Sequence, residues 1–312
     1  MLKSMTQRPA VLIMQRHLGQ LTPFLESQWT VYRFWEGPPA EAEAAIEVMV
    51  VAGEFELDKG LIARLPNLKL IACFTSGYDR IDVAWCRARG LPVTHAPAVN
   101  HEDVADHAIG LILAARRQIV ASDRDLRAGR WTVESKLMTP SLKGQRVGIV
   151  GLGLIGEAVA RRAEAMRMSV RWWGPRDRAA AWPRADSLID LARDSDILVV
   201  ACRADETNIG LISAQVIAAL GPQGLLVNVA RGQLVDEDAL IEALRSGALG
   251  QAALDVFERE PVDHGRWAEV PNTVLTPHTA GATTEAVQGM LMLLLANLNA
   301  LFSGEPLRTP VP

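Results

Sequence analysis

The chain has 312 residues, more than a single hydrophobic core ordinarily serves, so two domains are expected. Hydrophobic residues make up 49% and charged residues 22%, which excludes a disordered or collagen-like chain. A formal net charge of −4 offers no basic footprint for nucleic acid, and three cysteines without metal spacing, Cys73, Cys86 and Cys202, argue for a reducing cytoplasm rather than a disulfide framework.

Arg8-Pro9 leads into a short apolar run, Ala10 to Met14, which stops at Arg16 and lacks a small-residue cleavage site, so no signal peptide is expected. Residues 10–14, 47–52 and 68–74 read as strands separated by helical segments, a pattern that predicts a parallel sheet with helices on both faces. The third of these strands runs into "TSGYDRID", a glycine-containing turn and a helix start. Residues 92–97 form a short proline-punctuated strand at a domain edge. Residues 103–117 are apolar at helical spacing, at Val104, Ala108, Leu111, Ile112 and Ala115, which predicts a long helix crossing between domains. His101, just before it, and Asp106 and His107 within it read as hinge or structural groups.

A second alternation starts after Leu142-Lys143-Gly144, with strands at 146–150, 169–173, 196–202, 225–229, 250–256 and 273–276. Six strands with intervening helices match a doubly wound dinucleotide fold. Residues 283–302 are again an apolar-faced helix, expected to return to the first domain. The division is therefore 1–100 with 284–312 for one domain and 101–283 for an insertion within it. The longest apolar stretch, Met290 to Leu295, is far below the roughly 20 residues of a membrane span, so none is expected.

The stretch "VGIVGLGLIGEAVARR" sets Gly151, Gly153 and Gly156 between a buried-strand run and a helical one. In that order the glycines permit a tight turn, close approach of backbone to a pyrophosphate, and close helix–strand packing. The helix start supplies N–H groups and the positive end of its dipole. The alternative is an ordinary glycine-rich turn. An acidic residue ordinarily ends the next strand and holds the ribose of NAD. Here the tip reads Trp173-Gly174-Pro175-Arg176, with Asp177 between Arg176 and Arg178. Arginine there offers a planar fork to a 2′-phosphate. The tip thus predicts a preference for NADP(H), with NAD(H) possible, through Arg176 first and Arg178 second; a solvated basic loop is the alternative.

Four more stretches carry chemistry: "FTSGYDRID" (74–82), "NVARGQLVDEDAL" (228–240), "ALDVFEREP" (253–261) and "LTPHTAGATTE" (275–285). With the glycine turn, and in this order and spacing, they resemble the D-isomer-specific 2-hydroxyacid dehydrogenases, nearest to the branch of glyoxylate/hydroxypyruvate and hydroxyphenylpyruvate reductases. The resemblance covers nearly the whole chain. It implies an α/β fold of two doubly wound parallel-sheet domains, a Rossmann dinucleotide-binding domain inserted into a flavodoxin-like substrate domain, with a cleft between them.

The resemblance implies roles that elementary chemistry supports. Reducing a 2-keto acid takes a hydride, a proton for the carbonyl oxygen and a cation for the carboxylate. His278 matches the proton donor, because imidazolium titrates near working pH. Glu260 matches its acidic partner and Arg231 the substrate-binding arginine. Taken singly, His278 also fits a hydrogen-bonded core histidine, Glu260 a turn acid and Arg231 a helix-end ion pair.

By the same resemblance Ser76 and Gly77 hold the substrate carboxylate through backbone N–H groups, and Gly53 lines that pocket. Leu154 and Ile155 meet the pyrophosphate through backbone. Thr207, Val229, Ala230, His278 and Ala280 are further cofactor contacts. Asp255 matches the residue at the nicotinamide carboxamide, or is a strand-end acid satisfied by backbone. Trp131 is an aromatic reaching a neighbouring subunit or a core tryptophan. A homodimer through the dinucleotide domains, with residues 118–143 in contact, is implied, and no metal.

The expected activity is NADPH-dependent reduction of glyoxylate and hydroxypyruvate. Alternatives are a bulkier keto acid, hydroxyphenylpyruvate or 2-ketogluconate, and a non-enzymatic cofactor-sensing protein of corepressor type.

Overall fold

A computed structural model describes residues 8–312; the first seven residues of the predicted 1–100 segment lie outside the described residues. The chain divides into two compact units, one from residues up to Val99 together with Thr284–Pro312, the other Asn100–Thr283.

The first unit holds strands β1 (Ala10–Ile13), β2 (Thr30–Arg33), β3 (Ile46–Val51), β4 (Leu70–Cys73) and β5 (Val93–Thr94) in one parallel sheet of order β2-β1-β3-β4-β5. That is the flavodoxin-like order, with the reversal at β1/β3. Alternate residues serve opposite faces: Val11 and Ile13 enter one core, Ala10 and Leu12 the other. Burial on both faces explains why the strands read as continuous apolar runs. The edge strand β2, half-buried throughout, is not among the predicted strands.

The helix Thr284–Ser303 covers one face of this sheet with Ala286, Met290, Leu294 and Leu298, one per turn. Contrary to the sequence expectation, it is long and apolar enough to cross a membrane by length and composition alone, the one such helix among the described residues. Its buried Asn297 accepts from the backbone N–H groups of Arg308 and Thr309 and donates to Leu293, which ties the chain's last residues to the helix.

The second unit holds β6 (Arg146–Val150), β7 (Ser169–Trp173), β8 (Ile197–Val200), β9 (Leu225–Asn228), β10 (Gln251–Leu254) and β11 (Thr273–Leu275), parallel in the order β11-β10-β9-β8-β6-β7. A single parallel bridge from Trp172 to Arg184 adds a vestigial strand outside β7, which makes the outer order that of a Rossmann sheet. The reversal lies between β6 and β8. Ile197 and Val199 face one core, Leu198 and Val200 the other.

The helix His101–Arg116 buries all five predicted apolar positions against this sheet, beside the helix Leu154–Ala165. It belongs to the second unit alone. Its buried Arg116 donates to the carbonyls of Gln223 and Asp196 at the starts of β9 and β8. The three cysteines are free thiols.

Candidate active site

The site residues of the second unit follow the C-terminal ends of its strands. That edge collects ligands in open parallel sheets, because the chain reverses direction there. Gly151, after β6, has φ +90°, and a Cβ on it would fall 2.5 Å from the Cα of Cys202. A Cβ on Gly156 would lie 2.1 Å from the Gly151 carbonyl oxygen. Both glycines are therefore required by the protein's own packing. Gly153 is different: a Cβ there meets nothing within 4 Å, and the residue is the N-cap of Leu154–Ala165 with no side chain capping it. The space a side chain would fill, in front of a helix start with N–H groups to offer, fits a diphosphate. Leu154 in the same first turn is exposed and Ile155 half-buried.

At the tip of β7 the two arginines part ways. Arg176 is exposed and makes no hydrogen bond or ion pair among the described residues. Arg178 folds back on the glycine turn, donating to the Leu152 carbonyl and pairing with Glu157. The sequence places both at one phosphate; the structure sends Arg178 to the helix start instead. Thr207, on the loop after β8, is exposed and donates its hydroxyl to Asp205.

His278 sits beyond β11 in the left-handed region, at φ +53°. Such a conformation in a non-glycine residue costs of order 1 kcal/mol or more and persists where the surroundings over-determine it. Here they do. The His278 N–H donates to the Asp255 carbonyl (2.8 Å), and the next two N–H groups, of Thr279 and Ala280, donate to the Asp255 carboxylate (both 2.9 Å). Asp255, at the end of β10, is 1% exposed and also accepts from the Thr276 hydroxyl (2.6 Å). Its carboxylate thus accepts from two backbone N–H groups and one side-chain hydroxyl. The Ala280 N–H is engaged in the same way.

The imidazole Nδ1 of His278 lies 2.6 Å from Glu260 Oε2, and Glu260 Oε1 accepts from the Phe257 N–H (2.9 Å). The hydrogen bond to Glu260 raises the His278 pKa above the ordinary imidazole value; burial and the Arg231 charge oppose it and lose. Burial pushes the Glu260 carboxyl up, but the His278 and Phe257 hydrogen bonds and the Arg231 charge outweigh it and hold the group below the usual carboxylate range. The pair therefore favours imidazolium beside carboxylate.

Arg231 follows β9 in extended backbone. A Cβ on the next residue, Gly232, would fall 1.8 Å from the Phe257 carbonyl carbon, so only glycine lets this turn pack on the 257–260 segment that carries Glu260. Asn228, buried at the end of β9, braces the turn: its side chain accepts from the Ala230 N–H and donates to the Arg231 carbonyl. Val229 and Ala230 between them are buried. Trp131 is 59% exposed, which overturns its core reading; Trp267 is buried in this core and Trp173 packs against it.

In the first unit, Gly53 follows β3 and residues 75–78 follow β4. A Cβ on Gly53 would fall 1.9 Å from the Gly77 carbonyl oxygen, so the two loops meet backbone to backbone. Thr75 joins them: its hydroxyl accepts from the Gly53 N–H (2.8 Å) and donates to the Gly77 carbonyl (2.9 Å). The Ser76 hydroxyl donates to the Ala96 carbonyl (2.6 Å), which fixes the turn further.

Sequence reasoning passes over Asn228, Thr75 and Thr276. Each is a short polar residue at or just past the end of a strand, the one local signal for a side chain that bonds loop backbone. No group of three or more metal-ligating side chains occurs among the described residues.

Residues 109–280 match the family described as D-isomer specific 2-hydroxyacid dehydrogenase, NAD binding domain. The chain is similar to glyoxylate/hydroxypyruvate reductase A of Arabidopsis thaliana, 41% identical over 307 residues, covering 96% of this chain and 98% of the relative. It is similar to hydroxyphenylpyruvate reductase of Plectranthus scutellarioides, 40% identical with the same coverage. Among solved structures it resembles the NADPH-dependent glyoxylate/hydroxypyruvate reductase of Sinorhizobium meliloti in complex with NADP and malonate, with a TM-score of 0.90, 35% identity and coverage of 98% of this chain and 97% of that one.

Proposed function

The chain belongs to the D-isomer specific 2-hydroxyacid dehydrogenase family and is an NAD(P)-dependent oxidoreductase, and we propose that it uses NADPH to reduce glyoxylate and hydroxypyruvate to glycolate and D-glycerate. The observation that carries this reading is the His278–Glu260 pair, 2.6 Å apart, with the imidazole pKa raised. The carboxylate on Nδ1 favours the protonated ring and leaves Nε2–H for a developing alkoxide.

Each group of the chain has a defined task. Glu260 orients the ring and stabilises its charge until the proton leaves Nε2. Arg231 offers its fork to the keto acid's carboxylate and its charge to the polarised carbonyl oxygen. The glycine turn and the start of the helix Leu154–Ala165 hold the diphosphate by backbone, where Gly153 leaves the space. NADPH, when bound, supplies the hydride that the carbonyl carbon accepts, so hydride and proton together balance the reduction of C=O to CHOH. In the first unit the Thr75-braced turn at Ser76 and Gly77 is suited to a carboxylate. Residues 1–100 with 284–312 are thus the substrate domain and 101–283 the dinucleotide domain. Arg176, exposed at the β7 tip, is the group for the 2′-phosphate.

The similarity to hydroxyphenylpyruvate reductase, 40% against 41% for the glyoxylate enzyme, favours testing a bulkier keto acid beside the small ones. A panel of glyoxylate, hydroxypyruvate, hydroxyphenylpyruvate and 2-ketogluconate, assayed with NADPH and NADH, decides both points. Glyoxylate and hydroxypyruvate turnover with NADPH, reduced by about 10²–10⁴-fold in His278→Ala, is the expected result. No turnover of any keto acid, or full activity in His278→Ala, sinks the reading.

The segment after Arg117 exposes Ile119, Leu126, Trp131, Val133 and Met138 within 20 residues, Met138 at 86%. Large apolar side chains exposed this densely along one segment suit an interface. With the family resemblance it supports a homodimer built through this segment, which light scattering of wild type and Leu126→Glu tests.

A further inference from the structure

We propose that His107 and Thr276 are positioning residues for His278, acting through the buried carboxylate of Asp255. The inference rests on reading His278 as the proton donor. His107 Nε2 lies 2.9 Å from Thr276 Oγ1, which in turn lies 2.6 Å from Asp255 Oδ1. Both Asp255 oxygens already accept backbone N–H groups, Oδ1 from Thr279 and Oδ2 from Ala280. A carboxylate accepts only, so the single hydroxyl proton of Thr276 points at Asp255. The remaining partner of Oγ1 must then donate, and that assigns the Nε2–H form to His107. Nε2 is also 3.5 Å from Asp255 Oδ1, so the same N–H faces the carboxylate.

The direction of the chain of bonds matters for the turn. Asp255 ties the residues on both sides of His278: Thr276 by side chain before it, Thr279 and Ala280 by backbone after it. The residue between stands at φ +53°, a backbone state that relaxes when its ties are loosened. His107 comes from the helix His101–Arg116, buried against the sheet, so the series anchors the turn to a rigid element. Misplacing a reacting group by about 1 Å costs of order 10²-fold in rate.

The test uses the full chain with Thr276→Val and His107→Leu, and with the matched variants Thr276→Ser, which keeps the hydroxyl, and His107→Gln, whose amide N–H replaces Nε2–H. The first pair is expected to lose about tenfold to a hundredfold in kcat for NADPH-dependent glyoxylate reduction. The KM for glyoxylate and the Kd for NADPH, read by nicotinamide fluorescence, should stay within about twofold, and the matched pair should recover most of kcat. Without any ligand, backbone hydrogen exchange over residues 276–281 should quicken in the first pair only. Unchanged kcat in Thr276→Val and His107→Leu overturns the inference, as does an equal loss in the matched pair, or a loss without faster exchange. If Thr276→Val does not fold, His107→Leu with His107→Gln carries the same comparison. His278→Ala separates the two ideas: full activity there fails the proton-donor reading, whereas the exchange arm still reads the anchoring of the turn.

Discussion

The turn that carries His278 and the loop that carries Arg176 both follow a strand of the same sheet, and they are built by opposite means. Around His278 two backbone N–H groups and a hydroxyl converge on one buried acid, and a second acid grips the ring at 2.6 Å. Around Arg176 nothing converges; the side chain stands in solvent. The difference matches the two tasks proposed for them. Proton transfer takes place only at hydrogen-bond distance, so the donor's position and protonation state have to be set before substrate arrives. Recognition of a phosphate at the end of a flexible ligand works from an exposed cation, through charge and a planar fork, and takes its geometry on contact.

The contrast predicts which group is sensitive to its neighbours, and the larger effect belongs to the braced site. In Glu260→Gln the carboxylate charge is lost and the hydrogen bond that raises the His278 pKa becomes one to a neutral acceptor, whereas burial and the Arg231 charge, which lower it, remain. The imidazole then loses its proton at a lower pH than in the wild type. Reduction uses the protonated ring, so its rate is full below the His278 pKa and falls as pH rises through it. In Glu260→Gln that fall should begin at lower pH, and at a fixed alkaline pH the rate should drop about tenfold for every pH unit by which the midpoint moves. The pH profile of kcat/KM checks this. A profile that keeps the wild-type midpoint would break the claim that the acid tunes the proton donor.

The same contrast explains what could be read without coordinates. Strands buried on both faces announce themselves as apolar runs, so β1, β3, β4, β6, β8, β9 and β10 are legible, whereas the partly exposed β7 and β11 are read from their place in the alternation of strands and helices. The half-buried β2 has no such run. Gly151 and Gly156 are legible because the backbone around them admits no other residue, and Gly153 through its place between them at a helix start, where a side chain would fill open space. His278, Glu260 and Arg231 are legible as a set in order. What holds them is not, because Thr276 and Asp255 lie 21 residues apart, and His107 and Thr276 lie 169 apart. A threonine or a histidine has no local pattern that states such a partner. The destination of Arg178 fails for the same reason. Its bonds to Leu152 and Glu157 depend on how the loop after β7 folds back, which composition does not encode.

At the exposed site the expected effect is smaller and selective. Arg176→Ala should weaken NADPH binding by about tenfold, near 1.4 kcal/mol, and leave NADH within about twofold. The Kd of each cofactor, titrated by fluorescence, gives the ratio directly. Because Arg176 is solvent-exposed, the wild-type preference should also shrink as salt is raised, which a buried contact would resist. Equal loss for both cofactors removes Arg176 from the 2′-phosphate and erases the distinction between the two regions.

The smallest effect is expected at Arg178, and it sharpens the comparison most. Its side chain, 45% exposed, is paired with Glu157 beside the glycine turn, so its charge is largely answered before any ligand arrives. Pairs this exposed contribute about 0–1 kcal/mol. Arg178→Ala should therefore weaken NADPH and NADH alike, by about two- to threefold, through a looser turn at Leu152 rather than a lost phosphate contact. A selective loss of NADPH affinity, on the scale expected for Arg176, would mean that Arg178 leaves Glu157 when cofactor binds. The strand tip would then act as a two-arginine phosphate clamp, and Glu157→Gln should strengthen NADPH binding by releasing it. If Glu157→Gln and Arg178→Ala instead change both cofactors equally, Arg178 belongs with the braced groups of the glycine turn, and Arg176 alone distinguishes the two cofactors.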